Sequence, residues 1–259
     1  MKTLKEYIIE GILDIEDNIE NLTEKALIED FIKENYEIKG NLQFKKSGNK
    51  YIVSTKGHVE VKNNNITELT NGLFEWGEVE GDFSCVECTS LQSLKGAPRK
   101  VKDFYCSYCT SLKSLEGAPI EVGDFYCFDC KSLESLEGAP KKVKGYFCCM
   151  DCTSLKSLKG APEKVRRDFN CDNCTSLKDL EGAPKEVGGS FSCECCDLLK
   201  SLKGAPEKVG SFYCSGCTSL KSLEGAPEKV GNFYCEKCGE KFTEEDVRAV
   251  CDVKRQIKV

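Results

Sequence analysis

The stretch Val101–Pro119, VKDFYCSYCTSLKSLEGAP, decides the fold, because the chain repeats it from Phe83 almost to its end. The skeleton is VxxxFxCxxCxSLxSLxGAP, one residue shorter after the valine in some copies. All seven prolines fall in GAP triplets, at Pro98, Pro119, Pro140, Pro162, Pro184, Pro206 and Pro227, so the period is 21 or 22 residues. A period of that size predicts a solenoid, in which each unit buries its apolar face only against the units before and after it.

The regular units pair two cysteines eight times, at 85/88, 106/109, 127/130, 149/152, 171/174, 193/196, 214/217 and 235/238, each pair with a phenylalanine two residues ahead. Side chains two apart share one face of a strand, so Phe and the first Cys turn inward together. The second Cys, three further on, reaches the interior only if the backbone bends just after the strand. Two leucines three apart, such as Leu112 and Leu115, supply the opposite inner wall. Gly117 allows a tight turn there and Pro119 imposes an extended path. Each unit therefore places Val, Phe, Cys, Cys, Leu and Leu inside. At roughly 1.5–3 kcal/mol for each large apolar side chain buried, a coil offsets much of its ordering entropy only when sandwiched.

The ends differ from the repeats. Leu4, Ile8, Ile9, Ile12 and Leu13 stand at helical spacing over residues 4 to 16, and a second helix is expected from Glu24 to Tyr36, capped by Thr23. From Ile38 to Val61 the period changes to two, which predicts three short strands, with His58 at the start of the third. Val59 and Val61 stand where Phe and Cys stand later and Asn64 takes the second-Cys place, as in an imperfect first coil. Phe74 and Trp76 read as packing at the junction. TEEDVRAVC, Thr243 to Cys251, reads as a short helix with Val247, Val250 and Cys251 on one side, and VKRQIKV as a last strand. The expected organisation is an N-terminal helical and strand cap over 1–58, a solenoid over 59–238 and a C-terminal cap over 239–259.

With 259 residues, a net charge of −6 and a pI near 5.2, the chain is a poor electrostatic partner for nucleic acid. Glu6, Glu10, Asp14, Glu16 and Asp17 interrupt any apolar region a signal peptide would need. No segment approaches the roughly 20 apolar residues of a membrane span. Nineteen cysteines without a signal peptide point to a reducing, cytoplasmic compartment with mostly free thiols.

With those positions placed, VxxFxCxxC resembles the leucine-rich-repeat pattern LxxLxLxxN, in which cysteine substitutes for the asparagine. The match covers roughly Val79 to Cys238, and the short unit ending in SLxGAP resembles short bacterial and phage-type repeats. This resemblance implies a mainly β, right-handed curved solenoid with a parallel sheet on its concave side. Val, Phe and Cys in place of most strand leucines, with Leu198 and Asp179 in place of the usual serines, bear on curvature more than on topology. The resemblance also implies that Cys88, Cys109, Cys130, Cys152, Cys174, Cys196, Cys217 and Cys238 form a buried column, joined from coil to coil by weak S–H hydrogen bonds.

Other chemistry has to be weighed for the same thiols. CxxC with 17 or 18 residues before the next CxxC has zinc-ribbon spacing, so a metal-binding repeat protein holding zinc or an iron–sulfur cluster is the alternative reading. Against it, the first cysteine alternates with an apolar Phe, and a row of four-thiolate sites would bury repeated negative charge. Neighbouring coils also bring like cysteines within disulfide range. Cys148 and Cys195 fall outside the regular pairs and are expected to face out as the reactive thiols. No catalytic residue is assigned, since the lone His58 has no partner that spacing nominates. No cofactor and no metal ligand is assigned either.

If the strands line a concave face, the residues between the inward ones point out from it. Asp103, Asp124 and Asp168 fall in one column and Tyr105, Tyr126, Tyr213 and Tyr234 in the next. Tyr108, Phe128, Asp129, Met150 and Asp151 lie just beyond the first cysteine. Aromatics beside carboxylates suit a protein partner, a basic one in particular, with tyrosine offering area at low entropy cost. Stacked tyrosines also stabilise a sheet face by themselves. The lysines and glutamates of PRKVK, PKKVK and PEKV read as a solvated rim. The expected function is a non-enzymatic interaction scaffold, with no nucleic acid and no membrane as partner.

Overall fold

The computed structural model describes residues 13–259. Over the repeats the chain winds as a β-solenoid of about nine turns with a parallel sheet. The Phe strands are β6 (Phe83–Ser84), β7 (Phe104–Tyr105), β9 (Phe125–Tyr126), β11 (Phe147–Cys148) and β13 (Phe169–Asn170). The valines form a second ladder through β8 (Glu121–Val122), β10 (Lys142–Val143) and β12 (Lys164–Val165). In β14 (Glu186–Ser192), β15 (Lys208–Tyr213) and β16 (Lys229–Tyr234) the two ladders merge into one strand per coil. Phe pairs with Phe in register throughout, Phe83 with Phe104, Phe147 with Phe169 and Phe212 with Phe233 among them.

Because the period puts identical side chains on top of one another, the phenylalanine rings form one continuous stack. Centroid separations run from 5.1 Å for Phe147–Phe169 to 5.6 Å for Phe104–Phe125. The valines, both cysteines and both leucines line the same interior, nearly all of them fully buried. The bend that brings the second cysteine inward is made by the residue before it. Glu87, Tyr108, Asp129, Asp151, Asn173, Cys195 and Lys237 all adopt left-handed backbone there, with φ between 54° and 61°, and Gly216 does so in the remaining coil. Asn, Asp and Gly enter that region at least cost, which accounts for four of the eight residues found there.

Two glycines show how tightly the coils are stacked. Gly117 of a GAP triplet has φ of 93°, and a β-carbon there would come within 2.5 Å of the Leu94 carbonyl in the coil before. A β-carbon at Gly145 would fall 1.7 Å from Asp124 Oδ1. That carboxylate occupies the space because it accepts the Tyr146 N–H at 2.8 Å.

Among the described residues the N-terminal end carries the helix α1 (Leu13–Asn35), which runs on through the break expected at Thr23. The stretch contains no glycine or proline, so Thr23 lies within the helix rather than capping it; a threonine there costs only a few tenths of a kcal/mol. The part of the first expected helix before Leu13 lies outside the described residues. Tyr36 is no longer helical, and four strands follow in place of the three expected: β1 (Tyr36–Lys39), β2 (Leu42–Ser47), β3 (Lys50–Thr55) and β4 (His58–Val61). Ending the helix at Asn35 frees Tyr36 to open β1, which pairs antiparallel with β4. β5 (Phe74–Val79) joins β3 in a small second sheet with β2.

Val59 pairs with Phe83, so β4 is the first Phe-type strand. Asn64, in contrast, is exposed and does not take the second-Cys place; Ile66 and Leu69 fill the interior beyond it. Trp76 and Tyr36 close the phenylalanine stack, with ring centroids 6.0 and 6.3 Å from Phe83. At the other end, α2 (Glu244–Val250) starts on a Thr243–Asp246 capping box and buries Val247, with Cys251 buried just beyond it. Val250, expected on the same side, is 42% exposed because Cys251 already leaves the helix in extended conformation. β17 (Asp252–Lys258) adds the last parallel strand, against β16.

Replacing Gly145 by alanine is expected to destabilise the chain by about 1–3 kcal/mol, the usual cost of overpacking. In an Asp124→Ala background most of that cost should disappear, which a double-mutant cycle in urea will measure.

Candidate functional site

The outward residues of the Phe strands form a column of side chains in ladder register. Tyr105 and Tyr126 stack at 5.3 Å, nearly parallel, and Tyr213 and Tyr234 stack at 4.6 Å. Just past the bend, Tyr108 meets Phe128 edge-on at 5.0 Å and is 40% exposed, with Met150 half-buried one coil further on. Cys148, Asn170 and Ser192 occupy the rungs between the tyrosine pairs. Four rungs at the usual strand spacing put Tyr126 and Tyr213 about 19 Å apart. The twelve residues expected to contact a partner therefore share one side of the solenoid as two aromatic blocks, not one patch.

The carboxylates of that side are largely engaged. Asp103 Oδ1 accepts the Asp124 N–H at 2.7 Å, and Asp168 Oδ1 accepts the Ser190 N–H at 2.6 Å. With the Asp124–Tyr146 bond, each carboxylate satisfies a backbone amide at the corner of the next coil. Their role there is structural. The signal for it was the glycine that precedes the aligned residue in the following coil, Gly123, Gly145 and Gly189, since only a missing β-carbon leaves room for the carboxylate. Asp129 pairs with Lys131 at 3.3 Å, and Asp151 occupies the left-handed position one coil on.

Asp172 lies at the centre of a polar network between the aromatic blocks. It accepts from the Ser192 hydroxyl at 2.6 Å, the Glu194 N–H at 2.7 Å and the Asn170 side-chain amide at 2.8 Å. Burial, with Asp172 adding to it, raises the Glu194 carboxyl above the usual range. Burial and then Asp124 push the Tyr126 phenol up to about 12.

On the valine side, the lysines and glutamates read as a solvated rim are exposed and also pair along the stack. Lys164 and Lys208 flank Glu186 at 2.5 and 2.9 Å and hold its carboxyl down to about 2. Lys142 and Lys144 both reach Glu121. These pairs are exposed, so each contributes little. His58 accepts the Asp82 N–H on Nδ1 at 3.1 Å, one further polar link between β4 and the next coil.

Inside, the second cysteine of each coil donates its S–H to the carbonyl of the first cysteine in the coil before. The seven links are Cys109 to Cys85 (3.1 Å), Cys130 to Cys106 (3.1 Å), Cys152 to Cys127 (3.2 Å), Cys174 to Cys149 (3.3 Å), Cys196 to Cys171 (3.4 Å), Cys217 to Cys193 (3.1 Å) and Cys238 to Cys214 (3.3 Å). At Cys130, Cys196 and Cys238 the sulfur also takes a backbone N–H from the preceding second cysteine. All nineteen thiols are free; of the three outside the pairs Cys195 is exposed, as expected, Cys148 is only half-buried and Cys251 is buried. Among the described residues no three His, Cys, Asp or Glu side chains are grouped so as to hold a metal ion.

The solenoid is built of repeats of about 22 residues carrying this cysteine ladder. Compared with protein-family models, curated proteins and solved structures, the chain has no match in any of the three. No helix among the described residues is long and apolar enough to cross a membrane.

The ladder carries a pH dependence. Burial pushes the Cys127 thiol from its ordinary 9.0 up to about 12, and raises Cys106, Cys149, Cys171, Cys193 and Cys214 well above their ordinary value. The unfolded chain releases these protons first as pH rises. The stability they contribute is intact below about pH 9 and falls as pH rises above it, for Cys127 until about pH 12, by about 1.4 kcal/mol per pH unit for each thiol that only the folded chain keeps protonated. Urea midpoints measured under reducing conditions are expected to hold from pH 7 to 8.5 and drop steeply above 9, with a shallower drop for Cys127→Ala.

Proposed function

We propose that this chain is a non-enzymatic protein-interaction scaffold of leucine-rich-repeat type, binding a protein partner along the face of the Phe strands. In that reading the face is the concave side. The observation that carries the proposal is the division of labour among outward residues: the aspartates are taken up by backbone amides, while the tyrosine pairs and the Tyr108–Phe128 pair offer rings to solvent. Tyrosines give large contact area at small entropic cost and dominate binding energy where they cluster. The surrounding carboxylates suit a partner segment carrying lysine or arginine, whose charge would steer association more than fix affinity.

The leucine-rich-repeat assignment is supported by the thiol at the asparagine position, which both donates and accepts coil to coil as a polar ladder there must. Free thiols throughout support a reducing, cytoplasmic setting. The spacing of the two aromatic blocks suits a partner that spans several coils, or two contacts made by one extended segment.

Peptides selected by display against the intact chain provide the test. Changing Tyr105, Tyr126, Tyr213 and Tyr234 together to serine is expected to weaken the selected peptides at least tenfold, with the thermal midpoint shifted by only a few degrees. Changing Tyr105 and Tyr126 alone separates the blocks. Unchanged affinity in the fourfold variant would remove the proposal.

A further inference from the structure

The thiol ladder has one rung that differs from the others in access. In each of the six earlier links both cysteines are buried, so neither solvent nor an oxidant reaches the sulfur pair. In the last link Cys214 is fully buried while Cys238 is half-exposed. After Cys238 the chain leaves the coil path at Gly239, whose N–H bonds to the Cys217 carbonyl at 3.1 Å. It returns only as β17, which pairs with β16 no further than Tyr234. The pairing stops short of Cys238, so no further bend covers this thiol as Cys238 covers the rung beneath it.

The partner thiol is already in place. Cys238 Sγ lies 3.3 Å from the Cys214 carbonyl oxygen, and the two thiols interact directly. A bond of about 2.05 Å between them would join two sulfurs that already touch. We propose that Cys238 and Cys214 form an oxidant-sensitive pair, in which a small hydroperoxide converts the terminal rung of the ladder into a disulfide that staples the last coil to the one before.

The chemistry balances without a further reactant. The Cys238 thiolate attacks one peroxide oxygen, the O–O bond breaks, and sulfenic acid and hydroxide form, the hydroxide taking up the proton that Cys238 lost. The Cys214 sulfur then attacks the sulfenic sulfur, the S–O bond breaks, and the oxygen leaves as water with the Cys214 proton. Two thiols and one hydrogen peroxide give one disulfide and two waters. The thiolate is the reacting form, and the hydrogen bond from Cys214, with the amides of Cys217 and Gly216, lowers the Cys238 thiol below its ordinary value. Burial raises both other accessible thiols, Cys148 and Cys195, the latter only partly withdrawn from water.

Trypsin makes the pair readable, because Lys237 separates Cys238 from Cys235. The test uses the full chain with Cys148→Ser and Cys195→Ser, treated with hydrogen peroxide, alkylated and digested without reductant. The expected product joins Val209–Lys221 to Cys238–Lys241, two hydrogens lighter than the two peptides together, and fragment ions place the link at Cys214 rather than Cys217. The earlier rungs should stay fully alkylated once the chain is unfolded. Dithiothreitol should reverse the link, Cys214→Ser should abolish it, and amide exchange over residues 209–238 should slow at least about tenfold in the linked form. Cys238 recovered fully alkylated would overturn the proposal, as would Cys238 converted to sulfinic acid without a link, or linked to Cys235 or to a second chain.

Discussion

At the bend of every coil the carbonyl of the first cysteine turns into a dry interior, where it needs a donor, and a group left unpaired there would cost about 1–3 kcal/mol. The donor has to be small enough to sit between stacked coils and must come from the next turn. The second cysteine satisfies both conditions. Placing its sulfur there requires a left-handed residue immediately before it, and that bend in turn releases the chain toward the leucine wall and the GAP turn. One hydrogen bond between coils thus sets the bend, the bend sets the path, and the path brings each phenylalanine over the one below.

The same stacking decides which surface residues are left for a partner. Polar groups near a corner are drawn into satisfying the amides of the neighbouring coil, as Asp103, Asp124 and Asp168 are, and the Asp172 carboxylate binds three side-chain and backbone groups together. The aromatic rings are not drawn into those corner amides, although the Tyr234 hydroxyl donates to Gln256 Oε1 at 3.0 Å. They stack with their counterparts and still present an edge or a face to solvent. A surface that looks uniformly acidic and aromatic in sequence is therefore divided into carboxylates committed to the stack and rings available outside it.

The repeat made most of this legible beforehand. The inward set of Val, Phe, Cys, Cys, Leu and Leu follows from spacing alone, and the bend before the second cysteine was required for that residue to face inward. Its means was less visible, since Tyr108, Cys195 and Lys237 are not residues that favour left-handed backbone and only Asp129, Asp151, Asn173 and Gly216 signal it. The aspartate role was hidden because it depends on a pair of positions in different coils, a carboxylate in one and a glycine in the next. At the N-terminus there is no repeat to read. Local signals at Thr23 suggested a helix start, but a stretch with no glycine or proline continues as one helix when its inner face, Ile28 and Ile32, is packed against the first coil.

The first-cysteine thiols of Cys171 and Cys193 donate forward, to the Ser192 and Tyr213 carbonyls, but every second-cysteine link from Cys109 to Cys238 runs backward, so that ladder has a direction, and its two ends pose different problems. At the start, Cys88 has no earlier cysteine carbonyl to accept its S–H, which lies 3.9 Å from the Val86 carbonyl of its own coil, and it must be covered by something without a matching acceptor. Tyr36, Trp76 and α1 do this with aromatic and aliphatic bulk. At the finish the last thiol has its acceptor but nothing above it, so a purely apolar lid is not required and a short helix with one edge strand suffices. The large N-terminal cap and the small C-terminal one are thus consequences of the direction in which the hydrogen bonds run. The half-exposed sulfur at Cys238 follows from the same polarity.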